Sequence, residues 1–475
     1  MIKVTIYTQN YFTISFWLIF VFATIVPKTL PAQSISLTGK ASAEALISNS
    51  TRQPFYFWAN QLGQVSALEQ VNFFTHLSVL SVYTLSKPSQ SFFAGGNVNI
   101  KQTKSASFNI PEIYGGFSAK YFQITGGLFA DSLRMYGMSP SNSNFFVTRN
   151  ATPHPRVRLG SNGFLQLFQK NIFVAGIFEE GILNDKRFVH NARLHHKNLY
   201  LRLGSPQKTE FTVGLDHFVF WGGNTETESY HASLKEYIKT ILGGSYYSEH
   251  LGFRNTIGNH LGQYQVKFKK AFQNSTATIQ ISHIFEDASG IGWVNYPDNI
   301  YTLLIENKNR LFSHLLFEYT YTRNQSGPAT NPKTGKPRPV SGDNYFSHSQ
   351  YQSGLTYNGF FIGNPLFGPI MFTDDGISKG PENNQFSAVH AGFSGEILPA
   401  LQYKLLVTHS QNYGRQSSKY DPVRNQFFSL LSLKYIFLKK QNMFLETNLA
   451  FDQGSLWTGS SANVAGLGVK VGVVF

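Results

Sequence analysis

The last ten residues of the chain, GLGVKVGVVF (466–475), alternate between two faces. This is the period of two that a β-strand imposes on its side chains. The apolar face carries Leu467, Val469, Val471, Val473 and Phe475, and the small or polar face carries Gly466, Gly468, Lys470 and Gly472. Terminal segments of soluble proteins usually fray into water. We therefore predict a closed outer-membrane barrel, in which the last strand pairs with the first and no sheet edge remains.

The composition agrees with such a barrel. Charged residues make up 14% of the 475 residues, against roughly 25% in typical soluble proteins. Aromatic residues make up 15%, and there is no cysteine, which excludes a disulfide framework or a thiolate metal site. No run after residue 32 approaches the ~20 apolar residues that a membrane-spanning helix needs. A barrel avoids this requirement because only alternate residues face lipid.

The net charge of +14 favours an acidic polysaccharide or an acidic lipid as partner. Nucleic acid is not expected, because no run of Lys and Arg resembles a nucleic-acid-binding motif.

The N-terminus resembles a secretory leader. Lys3 precedes the apolar stretch 11–26, and Leu30 and Ala32 suit the positions before a cleavage site. We predict a signal peptide over 1–32 with the mature chain starting at Gln33, a short N-terminal segment over 33–53, and the barrel over 54–475. The alternative is an uncleaved anchor helix, but the apolar stretch is short and is interrupted by Ser and Thr.

Alternation recurs along the mature chain, for example over 263–269, 276–285 and 402–408. A one-sided soluble sheet would show the same pattern; the leader, the strand-final Phe475 and the aromatic content favour an all-β, transmembrane, antiparallel β-barrel. At about 24 residues per strand and connection, the chain allows roughly 16 to 20 strands, and we expect about 18.

The connections alternate between short turns and long loops, as in outer-membrane barrels. When short turns and long loops are assigned in alternation from each end of the chain, the two assignments disagree near residues 362–384. Either the stretch 366–372 is an additional wall strand, although Pro369 weakens it, or 347–361 lies inside the lumen. We favour the additional strand.

One stretch breaks the β pattern. In 229–242 apolar side chains recur at helical spacing, at Tyr230, Leu234, Tyr237, Ile238 and Ile241. The count of turns places this short helical insertion on the extracellular side, where we expect it to cap or enter the barrel.

Seven short sequence segments occur in order at 54–64, 151–159, 194–203, 216–224, 258–269, 285–293 and 342–366, the first of which is PFYFWANQLGQ. Together they resemble the capsule assembly Wzi family of outer-membrane proteins. The resemblance implies an 18-stranded barrel that binds capsular polysaccharide like a lectin, without catalysis. The family's best-known members also carry a helical bundle that blocks the periplasmic mouth. Here KASAEALIS, within 33–53, has room for one short helix and no bundle.

Sugar rings bind to aromatic faces and to polar side chains, which makes two groups of loop residues candidates. Trp221 and Asn224 follow a strand, although Trp221 also fits the aromatic girdle of a barrel. Glu286, Asp287 and Trp293 share one external loop. Solvated loop charge is the favoured explanation of the two acids, and their spacing lacks the alternate oxygens of a calcium loop.

Asp343, Asn344 and His348 are further polysaccharide-binding candidates, although turn chemistry explains the first two nearly as well. Lys267 and Lys404 are expected to face the lumen and attract an acidic polymer. His195 and His196 are adjacent in a strand and point to opposite faces, so they do not chelate one metal together. The sequence therefore predicts no metal site and no cofactor.

The main functional hypothesis is a barrel in the outer membrane of a Gram-negative cell that binds capsular or other extracellular polysaccharide and helps to assemble or retain it. The alternative is a porin-like channel for sugars or other small solutes. An enzyme is not expected, because the chain has no Gly-x-Ser-x-Gly motif and no paired carboxylates beyond ordinary loop acids. The expected partners are the polysaccharide, outer-membrane lipid and the barrel-insertion machinery, which would engage the strand ending at Phe475.

Overall fold

The fold is known from a computed structural model that describes residues 34–475, except 86, 88, 104–105, 169–170, 206, 231–232, 244, 249–252, 257, 287–290, 328–342 and 439–441. The predicted signal peptide and the first mature residue, Gln33, lie outside the described residues, as does Asp287.

Eighteen antiparallel strands form one closed sheet, which confirms the predicted fold class and strand number. They are β1 (Ile35–Ser48), β2 (Val71–Thr84), β3 (Ser91–Gln102), β4 (Ala106–Ser118), β5 (Phe122–Leu128), β6 (Arg156–Ser161, continued by Leu165–Gln166), β7 (Ile172–Leu183), β8 (Ala192–Gly204), β9 (Thr209–Trp221), β10 (Asn259–Ala271), β11 (Ser275–Phe285), β12 (Asn299–Asn307), β13 (His314–Tyr321), β14 (Phe386–Leu398), β15 (Leu401–Arg415), β16 (Ser418–Leu438), β17 (Met443–Gly454) and β18 (Ala462–Val474).

The remaining elements are short and lie in the connections. They are the helices α1 (Phe55–Trp58) and α2 (Leu234–Ile241), a 3-10 turn (Met135–Gly137), and three small hairpins that pair Ser245–Ser248 with Phe253–Thr256, Thr356–Tyr357 with Phe360–Phe361, and Ile370–Phe372 with Ser378–Pro381. Within the described ranges, no helix is long and apolar enough to span a bilayer.

The barrel closes between its first and last strands. β1 pairs with β18 from Lys40 opposite Val474 to Ser48 opposite Gly466. Beyond that register, Gly39 N donates to Phe475 O (2.7 Å) and Phe475 N donates to Gly39 O (2.9 Å). The expectation of a separate N-terminal segment over 33–53, with a short helix in KASAEALIS, is therefore wrong. Ile35–Ser48 forms the strand that removes the sheet edge, so the wall begins at Ile35.

The two ends of the barrel differ in their connections. At one end every connection has six residues or fewer, whereas the other end carries long loops such as 49–70, 129–155 and 322–385. Outer-membrane barrels place short turns in the periplasm and long loops outside. We accordingly call the long-loop end the extracellular end.

The prediction of an additional wall strand at 366–372 is wrong. β13 pairs directly with β14, with Thr320 opposite Ala388. Ile370–Phe372 instead pairs with Ser378–Pro381 in a hairpin within the loop. The alternative is correct, because Tyr351, Leu355 and other residues of 347–361 are buried inside the extracellular mouth.

The extracellular half of the lumen is filled by aromatic side chains from the long loops. Phe146 stacks on the wall residue Phe218 with ring centroids 5.0 Å apart, and Phe367 meets Phe386 edge-on at 5.0 Å. Several inward positions of the upper wall carry aromatic side chains, which are buried against rings of the loops rather than exposed to water. The loops thus form a core inside the barrel.

The outer face is apolar, as the alternation predicts. Residues that are substantially exposed on it include Leu199, Leu201, Phe211, Leu215, Ile279, Phe317, Val389, Leu449, Leu467 and Val469. Nearer the extracellular end, rings of Tyr264, His283, Trp293, Tyr301 and Tyr319 lie on the same face. An apolar band bordered by aromatic rings is the surface that a membrane barrel presents to lipid.

Helix α2 is where the sequence places a helix, but it neither caps nor enters the barrel. Trp221 occupies an outward position of β9, and the Tyr237 ring of α2 lies 4.7 Å from it. Lys197, also outward, donates to the carbonyl of Ile241 at the end of the helix. The helix therefore packs on the outside of the wall.

Candidate functional site

A cleft of about 540 Å³ opens at the extracellular end of the barrel. It lies between the loops 49–70, 322–385 and 455–461, and we call it the mouth cleft. Its lining includes Arg52, Trp58, Lys101, Phe360, Phe372 and Trp457.

Aromatic rings form much of the mouth cleft. Trp58 meets Trp457 edge-on, with ring centroids 5.7 Å apart, and the ring of Phe372 is 50% exposed. The guanidinium of Arg52 lies 4.5 Å from the centre of the Trp457 ring. Concave sites that combine apolar rings with a few polar groups are typical ligand sites. Flat rings can pack on the C–H surfaces of sugars, while Arg52 and Lys101 can pair with acidic groups.

Helix α1 fixes the floor of the mouth cleft. Phe55 N donates to Asp452 Oδ2 of the wall (2.7 Å), and the Phe55 ring stacks on Phe428 at 4.3 Å. The hydroxyl of Tyr56 lies 2.5 Å from Thr408 Oγ1. Because Phe55 and Tyr56 are anchored to the wall, Trp58 is held in position at the cleft.

The loop 129–155 descends from the extracellular end into the lumen. Ser139 Oγ and Ser141 Oγ each donate to the buried carboxylate of Glu318, both at 2.6 Å. The imidazole of His390 lies 2.9 Å from the carbonyl of Met138, through Nε2. Near the tip of the loop, the hydroxyl of Tyr136 donates to Glu306, close to the periplasmic end of β12. The loop therefore crosses most of the height of the barrel.

A second cavity of about 500 Å³ lies in the periplasmic half of the lumen, and we call it the lower lumen cavity. Its lining includes Arg134, Tyr136, Tyr200, Lys267, Lys269 and Glu306. Lys267 Nζ is 3.6 Å from Glu210 and Lys269 Nζ is 3.6 Å from Glu306, so acidic groups offset part of the positive charge. This cavity has charged as well as apolar side chains in its lining, and it lies far along the lumen from the mouth cleft.

Lys404 also faces the lumen, but on another part of the wall. Its neighbours across the sheet are Ser394 and Ser432. Close by, Lys434, Glu446, Lys470 and Glu44 occupy one row across four strands, and Lys470 Nζ pairs with Glu44 at 2.7 Å. The two predicted lysines, Lys267 and Lys404, therefore belong to separate charged groups.

Three of the predicted residues lie outside the lumen. Trp221 faces outward and is covered by Tyr237, and the side chain of Trp293 stacks on His283 with centroids 4.1 Å apart. Asn224 has an exposed side chain, and its backbone forms an isolated bridge with His190. The outward position of Trp221 agrees with its interpretation as part of the aromatic girdle.

The remaining predicted residues hold the inner loops together. Asp343 accepts from Ser326 Oγ (2.7 Å), and Asn344 Oδ1 accepts from Asn384 Nδ2 (2.7 Å). Glu286 accepts from the backbone N–H of Phe346. His348 Nδ1 accepts from the backbone N–H of Tyr351 at 3.3 Å, and burial lowers the pKa of His348 to about 4. None of these four side chains lines the mouth cleft.

Sequence reasoning missed the residues of the mouth cleft. Trp58 lies in the phrase 54–64 and could have been singled out there. Trp457 is a lone aromatic residue among the turn-forming residues of GSLWTGS (454–460), which is a weak signal. Arg52 had no signal of its own.

The closed sheet, the apolar outer band and the long loops at one end define the class of protein: the fold is that of an 18-stranded outer-membrane β-barrel. In the parts of the chain that the structure describes, no three His, Cys, Asp or Glu side chains are grouped to hold a metal ion.

No family model and no curated protein sequence matches the chain. Among solved structures the chain is similar to Wzi of Escherichia coli, an outer-membrane protein involved in group 1 capsule assembly and described as a carbohydrate-binding β-barrel. The two chains are 13% identical, the match covers 92% of this chain and 84% of that chain, and the TM-score is 0.58. It is also similar to OprD of Pseudomonas aeruginosa, with 9% identity, coverage of 93% and 95%, and a TM-score of 0.49. At 13% identity, the similarity to Wzi shows a shared barrel fold and no more.

Proposed function

We propose that the protein is an outer-membrane barrel of a Gram-negative cell that binds capsular or other extracellular polysaccharide in the mouth cleft. In this role it helps to assemble the polysaccharide or to retain it on the cell surface, by binding and without chemical turnover. The observation that carries the proposal is the position of the mouth cleft. It presents Trp457, Phe372 and Arg52 to the outside, above a lumen that loop side chains fill.

Two further points support the proposal. The positive charge of the chain suits an acidic polymer. The phrases of sequence that resemble the capsule assembly Wzi family agree with the structural similarity to Wzi of Escherichia coli, which is itself described as carbohydrate-binding.

The test is made in cells that produce the polysaccharide. A strain lacking the protein is complemented with the wild type, with Trp457→Ala or with Trp293→Ala, and cell-bound and shed polysaccharide are measured. We expect the deletion and Trp457→Ala to shift polysaccharide from the cell-bound to the shed fraction. Trp293→Ala is the matched control because it removes a Trp from the outer wall. Equal retention in all strains would contradict the proposal.

A channel for small anionic solutes is the second candidate, and the lower lumen cavity favours it. Arg134, Lys267 and Lys269 line that cavity, where they would attract anions. Conductance of the purified barrel in planar bilayers separates the two functions. Steady open conductance would favour the channel, and its absence would favour surface binding.

A further inference from the structure

A crevice of about 690 Å³ lies on the outer face of the barrel, between helix α2 and the wall. We call it the wall crevice. Its lining includes Val157, Glu180, Arg193, Trp221, Leu234 and Tyr237. The strand register shows that it is outside the lumen. Val157, Glu180 and His195 are opposite one another in adjacent strands, and Val157 is an exposed, outward residue.

Helix α2 is fastened to the wall beside this crevice. The Tyr237 hydroxyl donates to Glu180, and Lys197 donates to the Ile241 carbonyl. Ser233 begins the helix with a capping box that includes Glu236. These contacts hold a short helix of eight residues that would be marginal alone.

The helix exposes large apolar side chains next to a wall that faces lipid. Leu234 is 73% exposed, Ile238 45% and Leu242 76%. Water is a poor solvent for such a row, whereas the acyl chains of the outer leaflet are a good one. An amphipathic helix fixed at this level of a barrel therefore lies in the interface of the membrane.

Arg193 lines the wall crevice, and two further cations lie on the adjacent helix α2. Arg193 packs its guanidinium 4.8 Å from the centre of the Trp221 ring, and it makes no ion pair with any acidic side chain in the described parts of the chain. Lys235 and Lys239 are exposed on α2. The acidic group of the crevice, Glu180, already accepts from Tyr237 and Trp221 and pairs with His195. Glu180 therefore has three partners already, and the charge of Arg193 is available to bind an anion.

We propose that the wall crevice binds a phosphate-bearing lipid of the outer leaflet. An acyl chain would lie along Val157, Trp221 and Leu234, and the phosphate would meet Arg193 with Lys235 or Lys239. An apolar crevice that contains Arg193 and lies beside two exposed helix lysines complements an anionic amphiphile, because the acyl chain needs the apolar surface and the phosphate needs the cations. This site is separate from the mouth cleft, so the inference does not depend on the proposed function.

The test uses the full-length barrel in a neutral detergent, with lipid A and dephosphorylated lipid A as probes. Native mass spectrometry counts the bound lipid during a titration. We expect one lipid A per barrel, weaker binding of the dephosphorylated form, and about tenfold weaker binding of lipid A by Arg193→Gln with Lys239→Gln. Arg310→Gln, at an exposed arginine of a periplasmic turn, is the matched control and should bind as the wild type does.

Several outcomes would overturn the proposal. Equal binding of both lipids would overturn it, as would unchanged affinity in the Arg193 and Lys239 variant. Competition by millimolar inorganic phosphate alone would also overturn it. So would a dimer that the variant abolishes, because a second copy of the chain would then occupy this face. The heat-dependent gel shift of folded barrels shows whether each variant is folded. A Leu234→Asn variant keeps every cation and should also weaken binding, since Leu234 lines the apolar side of the crevice.

Discussion

Asp298 is a buried carboxyl group that holds the loop 322–385 in the mouth of the barrel. Its oxygens accept hydrogen bonds from Asn324 N (2.8 Å), Gln325 N (2.7 Å) and the Tyr345 hydroxyl (2.6 Å). Burial nevertheless raises the pKa of Asp298 from its ordinary 3.8 to about 6, since the protein solvates the ionised form less well than water does. The hydrogen bonds offset only part of this effect.

The stability of this loop should therefore depend on pH. Because the folded pKa is the higher one, the stabilising contribution is present at pH values near 4 and is lost as the pH rises through about 6. We expect the amides of 343–351 to be better protected from hydrogen exchange at pH 5 than at pH 8, by up to about 2 kcal/mol after correction for the intrinsic rates. Asp298→Asn should flatten this dependence, and greater protection at pH 8 would contradict the assignment.

At the scale of elements, the loop 129–155 depends on two serines. Ser139 and Ser141 are the donors that satisfy the buried carboxylate of Glu318. Replacing both serines with Ala removes the two donors to Glu318, which should lower the stability of the docked loop by about 1–3 kcal/mol. We expect faster hydrogen exchange in 133–144 and new opening events in planar bilayers. Ser429→Ala removes an exposed hydroxyl elsewhere and should change neither measurement; an unaltered loop in the double variant would show that Glu318 does not hold it.

The sequence predicts elements better than their placement. Alternation is a local property, so the strands β10, β11 and β15 could be recognised from their own residues. Helix α2 could be recognised for the same reason. The count of turns places α2 at the extracellular end of the barrel, but it does not say whether the helix lies in the lumen or on the outer wall. The outward position of Trp221, on which the helix packs, decides this.

The mouth cleft could not be predicted for a related reason. Trp58 and Trp457 are distant in the sequence and meet only because β1 pairs with β18, so that the loops next to these strands become neighbours. Likewise, 347–361 resembles a strand in composition, but its side chains are used to fill the lumen. Loop packing of this kind depends on long-range contacts that leave no local pattern.

At the scale of the whole molecule, the barrel depends on one closing seam. At Gly39 a Cβ atom would lie 2.5 Å from the Phe475 ring and 2.8 Å from the carbonyl oxygen of Ser78. At Gly96 it would meet nothing closer than 3.7 Å. We expect Gly39→Ala to lower the free energy of unfolding by about 1–3 kcal/mol, and Gly96→Ala to leave it nearly unchanged, as measured by the heat-dependent gel shift. Equal stability of the two variants would contradict the described closure.

The central claim is that the mouth cleft binds the polysaccharide. Its most direct test is equilibrium binding of acidic polysaccharide extracted from the same cells to the purified barrel, with Trp457→Ala and Trp293→Ala compared side by side. The account predicts saturable binding that weakens by about tenfold or more in Trp457→Ala and stays at the wild-type value in Trp293→Ala. No binding by the wild type, or equal affinity in all three proteins, would contradict it.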